Sequence, residues 1–107
     1  MKRYLGVITD ENDIDSYKET MTTYASIVNK KIDLVLISDT RLFQKFLQVN
    51  YIKYCRVIFY DYDEFVNFNQ FRDIFSITQK FNLEFSIIKQ DLHSDVATEL
   101  SYIMDVI

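Results

Sequence analysis

Four short apolar segments, spaced along the chain, constrain its fold more than any other feature of the sequence. Each has the length of a β-strand and is too short for a buried helix. Five of the seven residues of the second segment are large aliphatics, which suits a strand covered on both faces, as in parallel sheets between helices. The segments are Tyr4–Thr9, Ile32–Ser38, Cys55–Tyr60 and Leu83–Ile88.

Amphipathic segments follow these predicted strands. Their apolar residues recur at spacings of three and four, which places them on one face of a helix. We expect the last of these helices to begin near Asp91 or Ser94. The stripe of the first helix comprises Ile14, Tyr17, Met21, Tyr24 and Val28, and that of the last comprises Val96, Leu100, Ile103, Met104 and Ile107.

The alternation of strands and helices predicts the α/β class, with a single small domain over residues 1–107 built as (βα)4. A four-stranded, mostly parallel sheet would lie between helices in a three-layer α/β/α arrangement. The strand order stays open between 2-1-3-4, which is receiver- or flavodoxin-like, and 3-2-1-4, which is half a Rossmann fold. The first half of Leu83–Ile88 alternates apolar and polar residues, which predicts an edge strand.

Composition excludes several classes of protein. A chain of 107 residues is one domain, and no apolar run approaches the roughly 20 residues of a membrane span. The net charge of −4 argues against nucleic acid as a partner. The single cysteine, Cys55, forms no internal disulfide, and the amino terminus runs into a strand rather than a signal peptide, so we expect a cytoplasmic protein. Abundant Ile, Asn and Lys residues are typical of AT-rich genomes, such as those of low-GC bacteria or phages.

Aspartates follow all four predicted strands. Parallel strands would gather these side chains along one edge of the sheet, where ligands bind in such folds. The simplest role for each is to cap the following helix, and we favour it. The alternative is a Mg²⁺ site for phosphoryl transfer, since clustered carboxylates hold this ion. The aspartates are Asp10, Asp39, Asp61 and Asp91, and the magnesium ligands would be Asp10, Glu11, Asp61 and Asp63.

Short motifs in the chain resemble two known families. The acidic turn Thr9–Ile14 resembles the one after the first strand of response-regulator receiver domains, and Asp33–Ile37 resembles the strand that leads to their phosphoacceptor. Lys89 ends the last strand, as the lysine of that family does, while Ser38 stands at the phosphoacceptor position. This resemblance implies a similar fold and a Mg²⁺ cofactor. Separately, Asp61-Tyr62-Asp63 is similar to the Asp-x-Asp motif of haloacid-dehalogenase-type phosphatases.

The sequence lacks the residues that two common kinds of catalytic site require. Gly6 is the only glycine, so no strand–helix turn has the glycines of a phosphate-cradling loop. His93 is the only histidine, so we expect neither a multi-histidine metal site nor a Ser-His-Asp triad. These exclusions favour a protein that is not an enzyme and has no cofactor.

The leading hypothesis is a small regulatory or inhibitory protein that acts by binding another protein. The chain has 8 Tyr and 9 Phe residues, more than its core evidently needs, and interface centres favour such rings. We expect the protein-binding surface beside the acidic edge, at Tyr60, Tyr62, Phe65 and Phe68. A homo-oligomer, formed through the fourth strand or the last helix, is a further alternative.

Overall fold

The computed structural model describes residues 2–94, in which helices and strands alternate for most of the length. The strands are β1 (Arg3–Ile8), β2 (Ile32–Leu36), β3 (Tyr54–Phe59), β4 (Glu84–Ile87) and β5 (Leu92–His93). The helices are α1 (Ile14–Ile27), α2 (Thr40–Asn50) and α3 (Phe68–Lys80). Short 3-10 turns occupy Glu11–Asp13, Tyr51–Lys53 and Tyr62–Glu64.

The strands form one mixed sheet in the order β2-β1-β3-β4-β5. β1 runs parallel to β2 and β3, and β3 runs parallel to β4, while β5 pairs with β4 in the antiparallel sense. The α/β class is confirmed, and the first four strands have the order 2-1-3-4 rather than 3-2-1-4. The prediction of a four-stranded, mostly parallel sheet is wrong, because β5 adds an antiparallel fifth strand.

β5 follows a tight reversal that no glycine or proline marks in the sequence. Asp91 adopts a left-handed backbone there, with φ of 53°, a conformation that aspartate tolerates better than most residues. The Ser94 N–H then donates to the Phe85 carbonyl at 2.8 Å, and the Phe85 N–H donates to the Ser94 hydroxyl oxygen at 2.8 Å. The fourth helix therefore does not begin at Asp91, and its predicted stripe lies outside the described residues.

β2, rather than β4, is the long edge of the sheet within residues 2–94. β4 is paired on both sides, so the edge position predicted for Leu83–Ile88 is wrong. The polar Ser86 of this strand does not face water, because it is fully buried against the Arg56 guanidinium. The side chains of β2 contact the hydrophobic clusters on both faces of the sheet, as expected, although in the described part of the chain the strand pairs with β1 alone.

Helices cover both faces of the sheet. α1 packs on one face through Met21 and Ala25, while α2 and α3 pack on the other through Phe43 and Phe71. Alternate residues of β1 divide between the two clusters, as the period of a strand requires. The described part of the chain thus has the layers expected of an α/β/α arrangement.

Gly6 allows α1 to approach the sheet closely. A Cβ atom at this position of β1 would stand 2.6 Å from Leu34 Cδ2 and 2.9 Å from Met21 Sδ. Both distances are shorter than normal contacts between side chains. A glycine in a strand often marks such a close approach, and the only glycine of the chain serves this packing.

Replacing Gly6 with alanine should lower the free energy of unfolding by about 1–2 kcal/mol, because the added methyl group overpacks the contact. The nearest atoms belong to flexible side chains, so the variant should still fold. Urea unfolding of Gly6→Ala, Leu34→Ala and the double variant measures the effect. The two losses should be less than additive, since Leu34→Ala removes the closest atom. Strictly additive losses would contradict this account.

Candidate functional site

The strand order changes direction between β1 and β3. The chain leaves β1 toward β2 on one side and leaves β3 toward β4 on the other. In open α/β sheets such a switch point creates a crevice beyond the carboxyl ends of the two strands, where ligands bind. We call it the switch-point depression; it has a volume of about 270 Å³ and is lined by Thr9, Asp10, Asp13, Tyr17, Asp61, Asp63 and Glu64.

Three of the four predicted capping aspartates are confirmed as caps. Asp10 accepts a hydrogen bond from the Asn12 N–H at 2.9 Å, and Asp39 accepts one from the Arg41 N–H at 2.7 Å. Asp61 caps the 3-10 turn that follows β3. Capping satisfies N–H groups that the start of a helix leaves without partners, so these carboxylates first serve the local fold.

Glu64 joins the carboxyl ends of β1 and β3. One carboxylate oxygen accepts the N–H groups of Tyr60 and Asp61, each at 3.0 Å, and the other accepts the Thr9 hydroxyl at 3.2 Å. With the Asp61 side chain it completes a capping box. Burial raises the pKa of Glu64, although the hydrogen bonds from Asp61, Thr9 and Tyr60 act in the opposite direction. Glu64 is therefore a structural member of the depression.

Asp61 is the most buried carboxylate in the lining, with 9% of the residue exposed. Its oxygens accept hydrogen bonds from Lys89 Nζ at 3.2 Å, from the Gln90 side chain at 2.9 Å and from the Asp63 N–H at 3.0 Å. Burial alone would raise the pKa of Asp61, but these hydrogen bonds and the Lys89 charge outweigh it, so the pKa is lowered. The same contact raises the pKa of Lys89. Both oxygens of Asp61 are thus engaged by the protein itself.

Three of the four predicted magnesium ligands reach the depression. Asp10, Asp61 and Asp63 line it, while Glu11 does not. Within residues 2–94, no group of three or more acidic, cysteine or histidine side chains stands close enough to hold a metal ion. The sheet brings the carboxylates to one edge, as expected, but capping orients two of them toward the backbone.

Lys89, which carries part of the resemblance to receiver domains, also reaches this edge. Its amine contacts Asp61 after β3, not Ser38 after β2. Any receiver-like arrangement in this sheet is therefore centred on Asp61, whereas the resemblance placed the phosphoacceptor at Ser38. The Asp-x-Asp motif forms the start of a capped turn, in which Asp61 accepts the N–H of Asp63.

The ring of Tyr17 lies at the depression, although its spacing in the sequence predicted only a helix face. It stacks on Tyr60, with ring centroids 4.3 Å apart and an angle of 28° between the planes. Burial raises the pKa of Tyr17, and the charges of Asp13, Glu64 and Asp61 raise it further. The neighbouring carboxylates, rather than the burial, make the electrostatic potential at the ring negative. The position of Tyr17 soon after the acidic turn was the one signal available in the sequence.

The four predicted protein-binding aromatics do not form one exposed surface. Phe65 is only 6% exposed and packs on Phe59, with centroids 4.9 Å apart, so its expected exposure is wrong. Tyr62 and Phe68 are half-buried against the same cluster, and Tyr60 is half-buried under Tyr17. Much of the aromatic surplus fills the core, because rings from α3 and the β3–α3 connection must cover the sheet.

A second polar cluster lies around Ser86, on the α1 side of β4. Ser86 Oγ is 2.8 Å from His93 Nδ1, and His93 Nε2 is 2.8 Å from Asp91 Oδ1. The β4–β5 reversal thus brings a serine, a histidine and an aspartate into one hydrogen-bonded line, although the sequence predicted no catalytic triad. The Ser86 hydroxyl is fully buried and accepts the Arg56 guanidinium at 2.6 Å. A nucleophile must reach its substrate, and the buried Ser86 hydroxyl cannot. The hydrogen bonds from Ser86 through His93 to Asp91 therefore have a structural role.

Comparisons with protein-family models, with curated proteins and with solved structures find no match to this chain. Among the described residues, the helices are all too short or too polar to cross a membrane. The interpretation of the site therefore depends on its geometry.

Replacing Asp61 with asparagine should lower the free energy of unfolding by about 1–2 kcal/mol at pH 7, because the buried carboxylate loses its charge-assisted hydrogen bonds from Lys89, Gln90 and the Asp63 N–H. The folded-state pKa of Asp61 lies below the usual 3.8. The stability that the ionised Asp61 contributes is therefore fully present above pH 3.8, the pKa of the unfolded state. This stability is lost as the pH falls through the lower pKa of the folded state. Urea unfolding at pH 7 and pH 3 should show the difference between Asp61→Asn and wild type shrinking in acid. The exposed Asp63→Asn is the control, and a difference that does not depend on pH would contradict the assignment.

Proposed function

We propose that this protein is a non-enzymatic regulator or inhibitor that binds another protein, and that the partner places a lysine or arginine side chain in the switch-point depression. The observation that carries the proposal is the Tyr17 ring, held among carboxylates at a point of negative potential. A cation is the ligand that such a site attracts. The reduced thiol of Cys55 suits a cytoplasmic setting.

The size of the depression favours one side chain over a metabolite. Its volume of about 270 Å³ is below the roughly 300–1,000 Å³ of small-molecule sites. Two larger depressions lie at the opposite end of the sheet and beside β2, and their linings contain several lysines and Arg3 rather than convergent acidic groups. The switch-point depression is therefore the one of these sites whose lining is mainly acidic.

Some residues of the lining hold the shape of the depression, and others are available to contact the cation of the partner. Asp61 and Glu64 are held by the protein's own donors, while Asp10 and Asp63 are exposed at the rim. Exposed carboxylates steer a cationic partner and accept its charge-assisted hydrogen bonds. The face of Tyr17 adds a cation–π contact, worth about 0.5–1 kcal/mol at an exposed site.

The same division argues against catalysis at this depression. General acid–base chemistry needs a titratable group that can reach a substrate and exchange its proton. The contact with Lys89 keeps Asp61 ionised. Both carboxylate oxygens of Glu64 accept hydrogen bonds from the protein, and these bonds fix the turn. His93 lies in the separate cluster around Ser86. Recognition is the function that these residues support best.

Acetyl-arginine amide, titrated against ¹⁵N-labelled protein, should shift the amide resonances of Thr9, Tyr17 and Asp61 selectively. The double variant Asp10→Asn/Asp63→Asn should weaken binding about tenfold, since two charge contacts of about 0.7 kcal/mol each are lost. Asp73→Asn removes an exposed carboxylate of α3 and should change nothing. Raising the salt concentration should weaken binding.

Neutral acetyl-glutamine amide is the matched control ligand. Equal shifts with both ligands, or shifts scattered over the surface, would contradict the proposed site. An unchanged affinity in the double variant would show that the carboxylates at the rim do not contact the cation.

A second candidate function is a receiver-like phosphoacceptor at Asp61 that requires Mg²⁺. The contact between Lys89 and Asp61 at the switch point is the observation in its favour. Titration with Mg²⁺ and beryllium fluoride, which mimics an acyl phosphate, distinguishes the two functions. Resonance shifts centred on Asp61, absent in Asp61→Asn, would favour the phosphoacceptor, and no shift would favour the binding protein.

A further inference from the structure

Within residues 2–94, the edge of β2 that faces away from β1 has no paired strand, and its hydrogen-bonding pattern is defined. The Lys31 carbonyl accepts the Tyr4 N–H at 2.8 Å, and the Ile37 N–H donates to the Ile8 carbonyl at 3.0 Å. Odd-numbered residues of β2 therefore direct their backbone groups to β1. Because these groups alternate along a strand, the even-numbered residues direct theirs away from the sheet. The outward-directed residues are Ile32, Leu34 and Leu36.

This edge lacks the features that usually prevent strands from pairing between molecules, which are prolines, bulges and unpaired charges. The chain has no proline, and β2 pairs with β1 over five residues without a register shift. The one charged residue of β2, Asp33, is neutralised by Arg3 at 2.7 Å and accepts the Tyr54 hydroxyl at 2.9 Å. At the other end of the described sheet, β5 is only two residues long.

We propose that β2 pairs with β2 of a second copy of this chain, in the antiparallel sense, about a two-fold axis at Leu34. The sheets of the two subunits then form one continuous sheet. Outward-directed residues become the hydrogen-bonded pairs of an antiparallel ladder. Leu34 pairs with Leu34 of the partner subunit, and Ile32 pairs with Leu36 of the partner subunit.

The register that this symmetry imposes matches apolar side chains with one another. Ile32 and Leu34 pack on the face of the sheet that α1 covers, and Leu36 lies on the same face because side chains alternate along a strand. Their cross-strand neighbours in the dimer are therefore aliphatic as well. Leu36 is 50% exposed in the single chain. Ile27, Val28 and Leu42, which flank β2 along the chain, are also exposed by half or more. Pairing would cover part of this apolar surface.

The charges at the two ends of β2 are complementary in the same register. Lys30 precedes the strand and Asp39 follows it. In the antiparallel pair Lys30 faces Ser38 of the partner subunit and lies next to Asp39 of the partner subunit. Each end of the interface thus joins a cation to an anion, whereas a parallel pair would place like charges together. A second copy is therefore the occupant that this edge fits, in the antiparallel orientation.

Sedimentation velocity from about 10 µM to about 1 mM, the range for small interfaces, should show a monomer–dimer equilibrium. Amide hydrogen exchange should protect Leu34 and Leu36 in proportion to the dimer fraction. Leu36→Lys should raise the dissociation constant at least about tenfold, because a charge enters an apolar cross-strand pair. Val66→Lys, which changes another exposed aliphatic residue, should leave the dissociation constant unchanged.

Leu36→Pro is the second variant, since it removes an outward N–H that the single chain does not use in pairing with β1. It should fold, as circular dichroism would show, and remain monomeric. A wild-type protein that is monomeric at every concentration in this range would overturn the proposal. The β2 edge would then be available to pair with a strand of a different protein. A dimer in which the Leu34 and Leu36 amides exchange freely, or one that Leu36→Lys does not weaken, would also overturn it.

Discussion

The carboxylate of Glu64 is the contact on which the carboxyl edge of the sheet depends. It joins Thr9 at the end of β1 to the backbone that leaves β3, and Asp61 beside it joins the same turn to Lys89 after β4. Three strand ends are thereby held at fixed separations. A half-buried carboxylate with several donors loses part of its hydration, which raises the pKa of Glu64, but its hydrogen bonds also define one geometry. The depression keeps its shape because its deepest residues are structural.

This arrangement separates the positions that build the site from those that the proposed partner would contact. Capping and the contact with Lys89 engage Asp61, while Asp10 and Asp63 are exposed at the rim and Tyr17 lines the depression beside them. The negative potential therefore persists although Lys89 neutralises the most buried charge. The β2 edge is independent of this site. In the proposed antiparallel dimer the carboxyl ends of the two sheets would point in opposite directions, so each subunit would keep its depression accessible to the proposed partner.

Several local features could be predicted from short stretches of sequence, because they depend on neighbouring residues. The length and composition of the apolar segments predict the four parallel strands, and the helical period predicts the buried position of Met21. The residue types at the turns predict the caps at Asp39 and Asp61. Phe65 could not be placed in this way, since no helical period covers its connection, and tertiary contacts with Phe59 and Phe71 bury it. β5 was missed because Asp91 takes a left-handed backbone that the sequence does not mark.

By itself the sequence determined the α/β class and the line of aspartates along one edge, since both follow from the directions of strands and the needs of helix starts. Only the tertiary structure decided that β1 and β3 are neighbours, that β2 lies at the edge, and that Tyr17 meets Glu64 and Asp61. The same holds for the row from Ser86 to Asp91. Strand order is set by the packing of distant side chains, and residues far apart in the chain share a site only once that packing is complete.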